Sequence, residues 1–149
     1  MKEGSKIKNF SAGMTGNKEF KLNDYQGKNI VLYFYPRDNT PGCTSEGEDF
    51  RDNFKSFAKK NTLIFGISKD TLKSHENFKD KFNFPFELIS DPEEKICKLF
   101  DVIKEKSMYG KKYMGIERST FLIDSNGKLT KEWRKVKLKG HVEEVLNSL

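Results

Sequence analysis

The stretch YFYPRDNTPGCTSEGEDF, residues 33–50, contains the end of a buried strand and the beginning of a helix. The strand is predicted to end near Tyr35, because Pro36 donates no ladder hydrogen bond and biases the preceding residue towards extended geometry. Thr40 is a preferred N-cap and Pro41 a preferred first helical residue, so a helix is predicted to begin there. This register places Cys43 at the third helical position.

Cys43 would then lie in the first turn of the helix. Unpaired backbone N–H groups and the positive end of the helix dipole stabilise an anion there, and helix N-termini lower cysteine pKa values. The position therefore favours a reactive thiolate. The alternative is that Cys43 is a small buried residue, as free cysteines often are. The strand end, the helix start and the tight turn of proline and glycine favour reactivity.

Strands and helices alternate along the rest of the chain, which predicts an α/β fold with a central mixed sheet, flanking helices and an N-terminal hairpin. The first helix carries three phenylalanines at helical spacing on one side, at positions 50, 54 and 57. Residues 105–115 are predicted to form a loop. The other predicted elements are the N-terminal hairpin within 5–22, turning near 15–17; strands at 29–35, 62–68, 86–90, 119–124 and 129–133; and helices at 71–82 (with Leu72, Phe78 and Phe82 facing inward), 92–100 and 140–149.

Length and composition predict one domain, residues 1–149, in a soluble protein. The 149 residues include 13 phenylalanines and 35% hydrophobic residues, enough for a core, but no apolar run long enough to span a membrane. The N-terminus lacks the pattern of a secretory signal, so the cytoplasm is expected. The net charge of +6 comes mostly from dispersed lysines, and the densest basic stretch matches no nucleic-acid motif. No membrane or nucleic-acid partner is predicted.

Arg118 is one of only four arginines, and it directly precedes the predicted strand 119–124. Its side chain should therefore start at an end of the sheet, where the active sites of α/β proteins collect. A guanidinium near Cys43 would hold a thiolate and bind an oxygen-bearing substrate. The alternative is an ion pair with Glu117 or another carboxylate, and spacing alone favours that alternative.

The chain resembles the peroxiredoxins, specifically the bacterioferritin comigratory protein or peroxiredoxin Q subfamily. The family pattern Pro-x-x-x-Thr-x-x-Cys is met by Pro36, Thr40 and Cys43, and the subfamily pattern Thr-Pro-Gly-Cys-Thr-x-Glu by residues 40–46. Similar segments include GISKDTLKSHENF, FELISDPEEK and MYGKKYMGIERSTFLID. The resemblance implies a thioredoxin-like fold and a thiol peroxidase that needs no metal or haem and is reduced by thioredoxin or another thiol.

The resemblance also implies roles for individual residues. Pro36 matches the proline that shields the reactive sulfur, Thr40 the hydroxyl that binds thiolate and peroxide, and Cys43 the peroxidatic cysteine. Arg118 matches the arginine that completes the pocket. Glu46 matches a glutamate that orients an arginine, although an acid in the first helical turn is also favoured by the dipole alone.

The sequence departs from many subfamily members at Glu48, which stands where they carry a resolving cysteine. The only other thiol is Cys97, predicted at the flank of an apolar helix stripe and half-buried. Resolution of Cys43 by an external thiol is favoured, and resolution by Cys97, within or between chains, comes second. A monomer is expected, with a dimer as the alternative.

His75 and His141 are predicted to have surface or capping roles, since an ionised thiol needs no base. Two cysteines and two histidines on four separate segments do not have the spacing of metal ligands, so no metal is expected. A disulfide reductase is disfavoured because the chain lacks a Cys-x-x-Cys pair. The remaining alternative is a non-enzymatic chaperone or DNA-protecting protein that uses the basic surface.

Overall fold

A computed structural model describes all residues, 1–149. It contains a seven-stranded sheet, a separate two-stranded sheet, one 3-10 helix and five α-helices. No helix has the length and apolar character needed to cross a membrane. In chain order the elements are β1 (Ser11–Met14), β2 (Lys18–Lys21), the 3-10 helix (Leu22–Tyr25), β3 (Asn29–Phe34), α1 (Pro41–Asp52), α2 (Phe54–Lys59), β4 (Thr62–Ser68), α3 (Leu72–Phe82), β5 (Glu87–Ser90), α4 (Lys95–Leu99), β6 (Ile103–Met108), β7 (Lys111–Ile116), β8 (Ser119–Ile123), β9 (Leu129–Trp133) and α5 (His141–Asn147).

The large sheet is mixed, as predicted, with the strand order β2-β1-β5-β4-β3-β8-β9. The central strands β3, β4 and β5 are parallel, whereas β8 pairs with β3 in the antiparallel direction. The N-terminal hairpin is present as β1 and β2. The register of β3 and β8 pairs Phe34 with Ser119, so Arg118 lies at the sheet end where β3 leads towards α1.

The sheet separates two apolar cores. Alternate residues of β3 face opposite sides, because successive side chains of a strand point to opposite faces. Leu32 and Phe34 belong to one core, which also contains Cys97. Val31 and Tyr33 belong to the other core, which contains Cys43. The two cysteines therefore pack against opposite faces of the sheet.

Residues 105–115 do not form the predicted loop but most of a hairpin made by β6 and β7. Its two-residue turn consists of Tyr109 and Gly110, both with positive φ angles of 53° and 77°. Such turns match the twist of paired strands, and glycine at the second position favours them. The prediction was wrong because this hairpin pairs with no other strand and is polar on much of its surface, so it lacks a buried apolar pattern.

The helices also differ from the sequence expectation. The helix predicted to carry all three phenylalanines breaks at Asn53, which separates α1 from α2, although Phe50 and Phe57 are both buried as expected. The helix predicted for 92–100 is shorter, because Glu94 adopts a left-handed conformation with φ 63° just before α4. Leu72 was predicted to face inward but is exposed.

Candidate active site

Cys43 occupies the position that the sequence predicted. Thr40 has the extended backbone of an N-cap, Pro41 is the first residue of α1, and Cys43 is the third. The Thr40 hydroxyl does not cap the helix; it donates to the carbonyl oxygen of Arg37 at 2.9 Å. The Cys43 side chain is almost fully buried, with 2% of its surface exposed.

Arg118 links two groups of α1. Its Nη2 donates towards Cys43 Sγ at 3.4 Å, and its Nη1 donates to Glu46 Oε1 at 2.6 Å. Cys43 and Glu46 are three residues apart and lie on the same face of the helix. A Cβ atom at Gly42 would lie 3.1 Å from Arg118 Nη2, so the absence of a side chain there lets the guanidinium approach the helix closely.

Glu46 is completely buried. Burial raises the pKa of its carboxyl from 4.5 to about 7, although the charge and hydrogen bond of Arg118 oppose this rise. The second carboxylate oxygen, Oε2, has no hydrogen-bond partner. The group is therefore held by one strong contact to Arg118 and takes up a proton more readily than an exposed glutamate.

A groove of about 510 Å³ opens at the N-terminal end of α1, the helix that carries Cys43, and Thr40 is one of its lining residues. Pro36 and Thr40 lie on one side of it, and the β6–β7 hairpin contributes Lys106, Met108 and Tyr113 on the other. The lining is therefore partly apolar and partly cationic, and it brings two of the predicted site residues to the same opening.

A buried polar network holds the loop between β3 and α1. Asp38 accepts hydrogen bonds from the hydroxyl of Tyr35 at 2.7 Å and contacts His75 Nδ1 at 2.8 Å. Its backbone N–H donates to Asp70 at 3.0 Å, and His75 Nε2 donates to the carbonyl oxygen of Ile89 at 2.9 Å. These contacts tie the loop that carries Pro36 and Thr40 to α3 and β5.

The expectation for both histidines was wrong. His75 is fully buried in the network just described, and the polar composition of its helix concealed this because the helix has a buried face. His141 is also buried, with Nε2 2.8 Å from Thr120 Oγ1. Burial lowers the pKa of His141 to about 4. Neither side chain forms a hydrogen bond with the Cys43 sulfur.

The carboxylates of Asp38 and Asp70 and the His75 ring form the one cluster in the chain with the separation of metal ligands. Their atoms are already used in hydrogen bonds. Asp38 Oδ2 accepts from Ser74 and contacts the histidine, and Asp70 Oδ2 accepts from Ser68. These contacts account for the cluster as a structural network.

Cys97 is fully buried rather than half-buried, which corrects the expectation from the helical wheel. Its backbone N–H donates to Asp91 Oδ2 at 2.8 Å. Burial, and secondarily the Asp91 carboxylate, raises the pKa of the Cys97 thiol well above its usual range. Because Cys97 and Cys43 pack against opposite faces of the sheet, the structure does not bring them together.

The fold and the site define a thioredoxin-like enzyme with a cysteine next to an arginine in the first turn of a helix. The model of the AhpC/TSA family matches residues 4–132, and the chain belongs to this family. It is 59% identical to peroxiredoxin Bcp of Bacillus subtilis over 129 residues, covering 87% of this chain and 82% of that protein. Peroxiredoxin Bcp of Escherichia coli is 37% identical over 149 residues, covering 100% and 96%.

Solved structures agree with these relatives. A Xylella fastidiosa PrxQ variant superposes with a TM-score of 0.95 at 44% identity, covering 99% of this chain and 94% of that one. Xanthomonas campestris peroxiredoxin Q gives 0.89 at 47% identity, covering 93% and 88%. The resemblance and the thioredoxin-like fold are confirmed. The chain is a thiol-dependent peroxidase, with peroxides as substrates and a thiol as reductant.

Proposed function

We propose that Cys43 is the peroxidatic cysteine and that an external thiol, such as thioredoxin, resolves its oxidised form. The observation that carries the proposal is the 3.4 Å approach of Arg118 Nη2 to Cys43 Sγ in the first turn of α1. The guanidinium and the helix N-terminus both stabilise an anionic sulfur.

The chemistry follows from these groups. The Cys43 thiolate attacks one peroxide oxygen, the O–O bond breaks, and the other oxygen leaves as water or an alcohol after taking a proton. The sulfur becomes a sulfenic acid. Arg118 and the backbone N–H groups of the first helical turn stabilise the charge that spreads over the two oxygens in the transition state. Thr40, whose hydroxyl donates to the carbonyl oxygen of Arg37, lines the groove, and that hydroxyl binds the peroxide.

Pro36 and Glu46 act on this centre indirectly. Pro36 lines the groove and shields the sulfur from bulk water. Glu46 fixes the direction of the Arg118 guanidinium through its 2.6 Å contact. Because Nη1 is held by Glu46, Nη2 of the same planar group points to the Cys43 sulfur.

Resolution by an external thiol is supported by the position of Cys97. A disulfide requires Cα atoms within about 7 Å. Cys97 is fully buried in the core on the other side of the sheet, so pairing with Cys43 requires part of the protein to unfold. The chain then works as a one-cysteine enzyme.

We also propose that residues 1–149 act as one domain, as a monomer, and in the cytoplasm.

The test combines two variants with mass spectrometry. Cys43→Ser should abolish peroxide reduction with dithiothreitol as reductant, while the matched variant Cys97→Ser should keep the wild-type rate. Wild-type protein treated with peroxide and the sulfenic-acid reagent dimedone should carry the adduct on Cys43, with Cys97 free. A disulfide between Cys43 and Cys97, within one chain or between two, would contradict the one-cysteine mechanism and make Cys97 the resolving residue.

A further inference from the structure

The β6–β7 hairpin has an exposed apolar surface that its own fold does not use. Six large apolar side chains of the whole chain are exposed, and four of them are on this hairpin: Met108, Tyr109, Tyr113 and Met114. Tyr109, at the turn, is 97% exposed. The hairpin is a two-stranded sheet of its own, joined to the large sheet by no strand pairing. Successive strand residues point to opposite faces, so Met108 and Tyr113 share the face that lines the groove, Met114 lies on the other face, and Tyr109 is at the turn. Exposed apolar groups gathered on one face are typical of a surface that binds a partner.

The same hairpin is strongly basic. Residues 103–116 contain lysines at 104, 106, 111 and 112 and a single acidic residue, Glu105. Lys112 pairs with Glu105 at 3.5 Å, but both side chains are well exposed, so the pair contributes little. The lysine at 106 is partly buried, and this burial together with Arg118 lowers its pKa. A partner that covers this surface must be acidic to be attracted.

The hairpin also borders the groove at the N-terminal end of α1, the helix that carries Cys43. Its residues Lys106, Met108 and Tyr113 form one side of the groove whose other side contains Pro36 and Thr40. A protein thiol that reaches the Cys43 sulfur through this groove therefore contacts the hairpin. The hairpin is continuous with the groove, and both carry positive charge. The expected occupant is therefore an acidic protein that carries a thiol.

We propose that the hairpin, residues 103–116, is the docking surface for an acidic protein dithiol that reduces oxidised Cys43. This inference rests on the proposed function, in which no thiol of the chain itself resolves Cys43. Met108, Tyr109 and Tyr113 pack on the apolar rim around the partner's thiol, and the lysines attract its acidic surface. Methionine and tyrosine suit such a contact because they bury much apolar area while adapting to different shapes.

The reduction proceeds in two balanced steps. A thiolate of the docked dithiol attacks the Cys43 sulfenic sulfur; an S–S bond forms, the S–O bond breaks, and the oxygen takes a proton and leaves as water. The second thiolate of the dithiol then attacks the partner's own sulfur in this S–S bond. The bond to Cys43 breaks, Cys43 leaves as a thiolate, and the dithiol has given up the two electrons that the sulfenic acid gains.

The test uses an acidic thioredoxin, which carries a Cys-x-x-Cys dithiol, as the probe. One variant is Lys111→Glu with Lys112→Glu, and a second is Tyr109→Asn, which keeps a turn residue that tolerates positive φ. Neither variant changes a residue that lines the groove. The matched control is Lys55→Glu with Lys59→Glu, which makes the same charge change at exposed positions of α2.

Three rates are measured for each protein: oxidation of Cys43 by hydrogen peroxide, turnover with dithiothreitol, and turnover with thioredoxin. The charge variant should raise the KM for thioredoxin by about tenfold, as expected when rim charges that guide association are reversed. Tyr109→Asn should raise it by about threefold through lost apolar contact. Both should leave the other two rates unchanged, and the control should leave all three unchanged.

The outcomes separate this inference from the proposed function. An unchanged KM for thioredoxin in both hairpin variants, or an equal change in the α2 control, overturns the docking surface. So does a wild-type protein that accepts electrons from dithiothreitol but not from thioredoxin, and in that case the one-cysteine mechanism stands. Failure of wild-type Cys43 to be oxidised by peroxide, by contrast, overturns the proposed function itself.

Discussion

The substitution Glu46→Gln tests the electrostatics around Arg118 in a quantity that can be measured directly. Burial raises the pKa of the Glu46 carboxyl from 4.5 to about 7, with Arg118 in contact at 2.6 Å. The folded protein therefore binds a proton at Glu46 more tightly than the unfolded chain does. The stability that this proton provides is fully present below pH 4.5 and is lost as the pH rises through about 7.

The magnitude follows from the two pKa values. Proton affinities that correspond to pKa values of 4.5 and about 7 differ by about 300-fold. At about 1.4 kcal/mol for each tenfold difference, this is about 3 kcal/mol. Glutamine has nearly the same shape and does not titrate. The free energy of unfolding of the wild type, minus that of Glu46→Gln, should therefore fall by about 3 kcal/mol between about pH 4 and pH 8.

The assay is urea denaturation of the reduced protein, followed by circular dichroism at a series of pH values. Constant m-values across the series confirm that the same surface is exposed on unfolding. The control is Glu143→Gln on the exposed side of α5, which makes the same substitution away from the site. A difference for Glu46→Gln that stays constant, or that rises with pH, would refute the reasoning, because the contact with Arg118 would then outweigh burial.

Three further predictions concern Arg118, Gly47 and His141. Arg118→Lys should lower kcat/KM for peroxide by about 100-fold, because a lysine ammonium cannot hold Glu46 and face the reactive sulfur in two fixed directions. Gly47→Ala should destabilise the protein by about 1–3 kcal/mol in urea denaturation, because the new Cβ would lie 2.4 Å from Phe84 Cζ. NMR of the His141 ring should show a neutral imidazole at pH 6 that gains a proton near pH 4, with the associated stability lost as the pH falls through that value.

Each of these has a control and a contrary result. The stability of Arg118→Lys is followed in the same urea assay, and a wild-type peroxidase rate in that variant would remove Arg118 from the mechanism. The cost of Gly47→Ala should shrink in a Phe84→Leu background, and an unchanged cost there would show that the clash is not the cause. A His141 ring that titrates near 6.5, the ordinary histidine value, would show that it is open to water.

Local rules predicted the beginning of α1 well. Thr40 and Pro41 act through their own backbone geometry, so the helix start and the place of Cys43 were predicted to the residue. The buried strands β3 and β4 were equally clear, because continuous apolar runs need no distant information. The same local rules did not reveal the β6–β7 hairpin, whose exposed strands lack such a run.

Burial of polar residues was the main source of error. His75 and Cys97 lie on short or polar helices, and whether such a side chain faces the core depends on what packs over the helix. The contact between Asp38 and His75 joins residues 37 positions apart, and no spacing rule covers that separation. The resemblance to a known family supplied Arg118, which spacing alone left as an ordinary ion pair.

The sequence by itself determined where Cys43 sits on its helix, because proline, threonine and glycine act on dihedral angles within a few residues. Only the tertiary structure decided what surrounds that sulfur. The antiparallel pairing of Phe34 with Ser119 brings Arg118 across 75 residues to Cys43, and the packing of α1 buries Glu46 beside them. The same sheet separates Cys97 from Cys43, because α4 and α1, the helices that carry them, pack against its opposite faces.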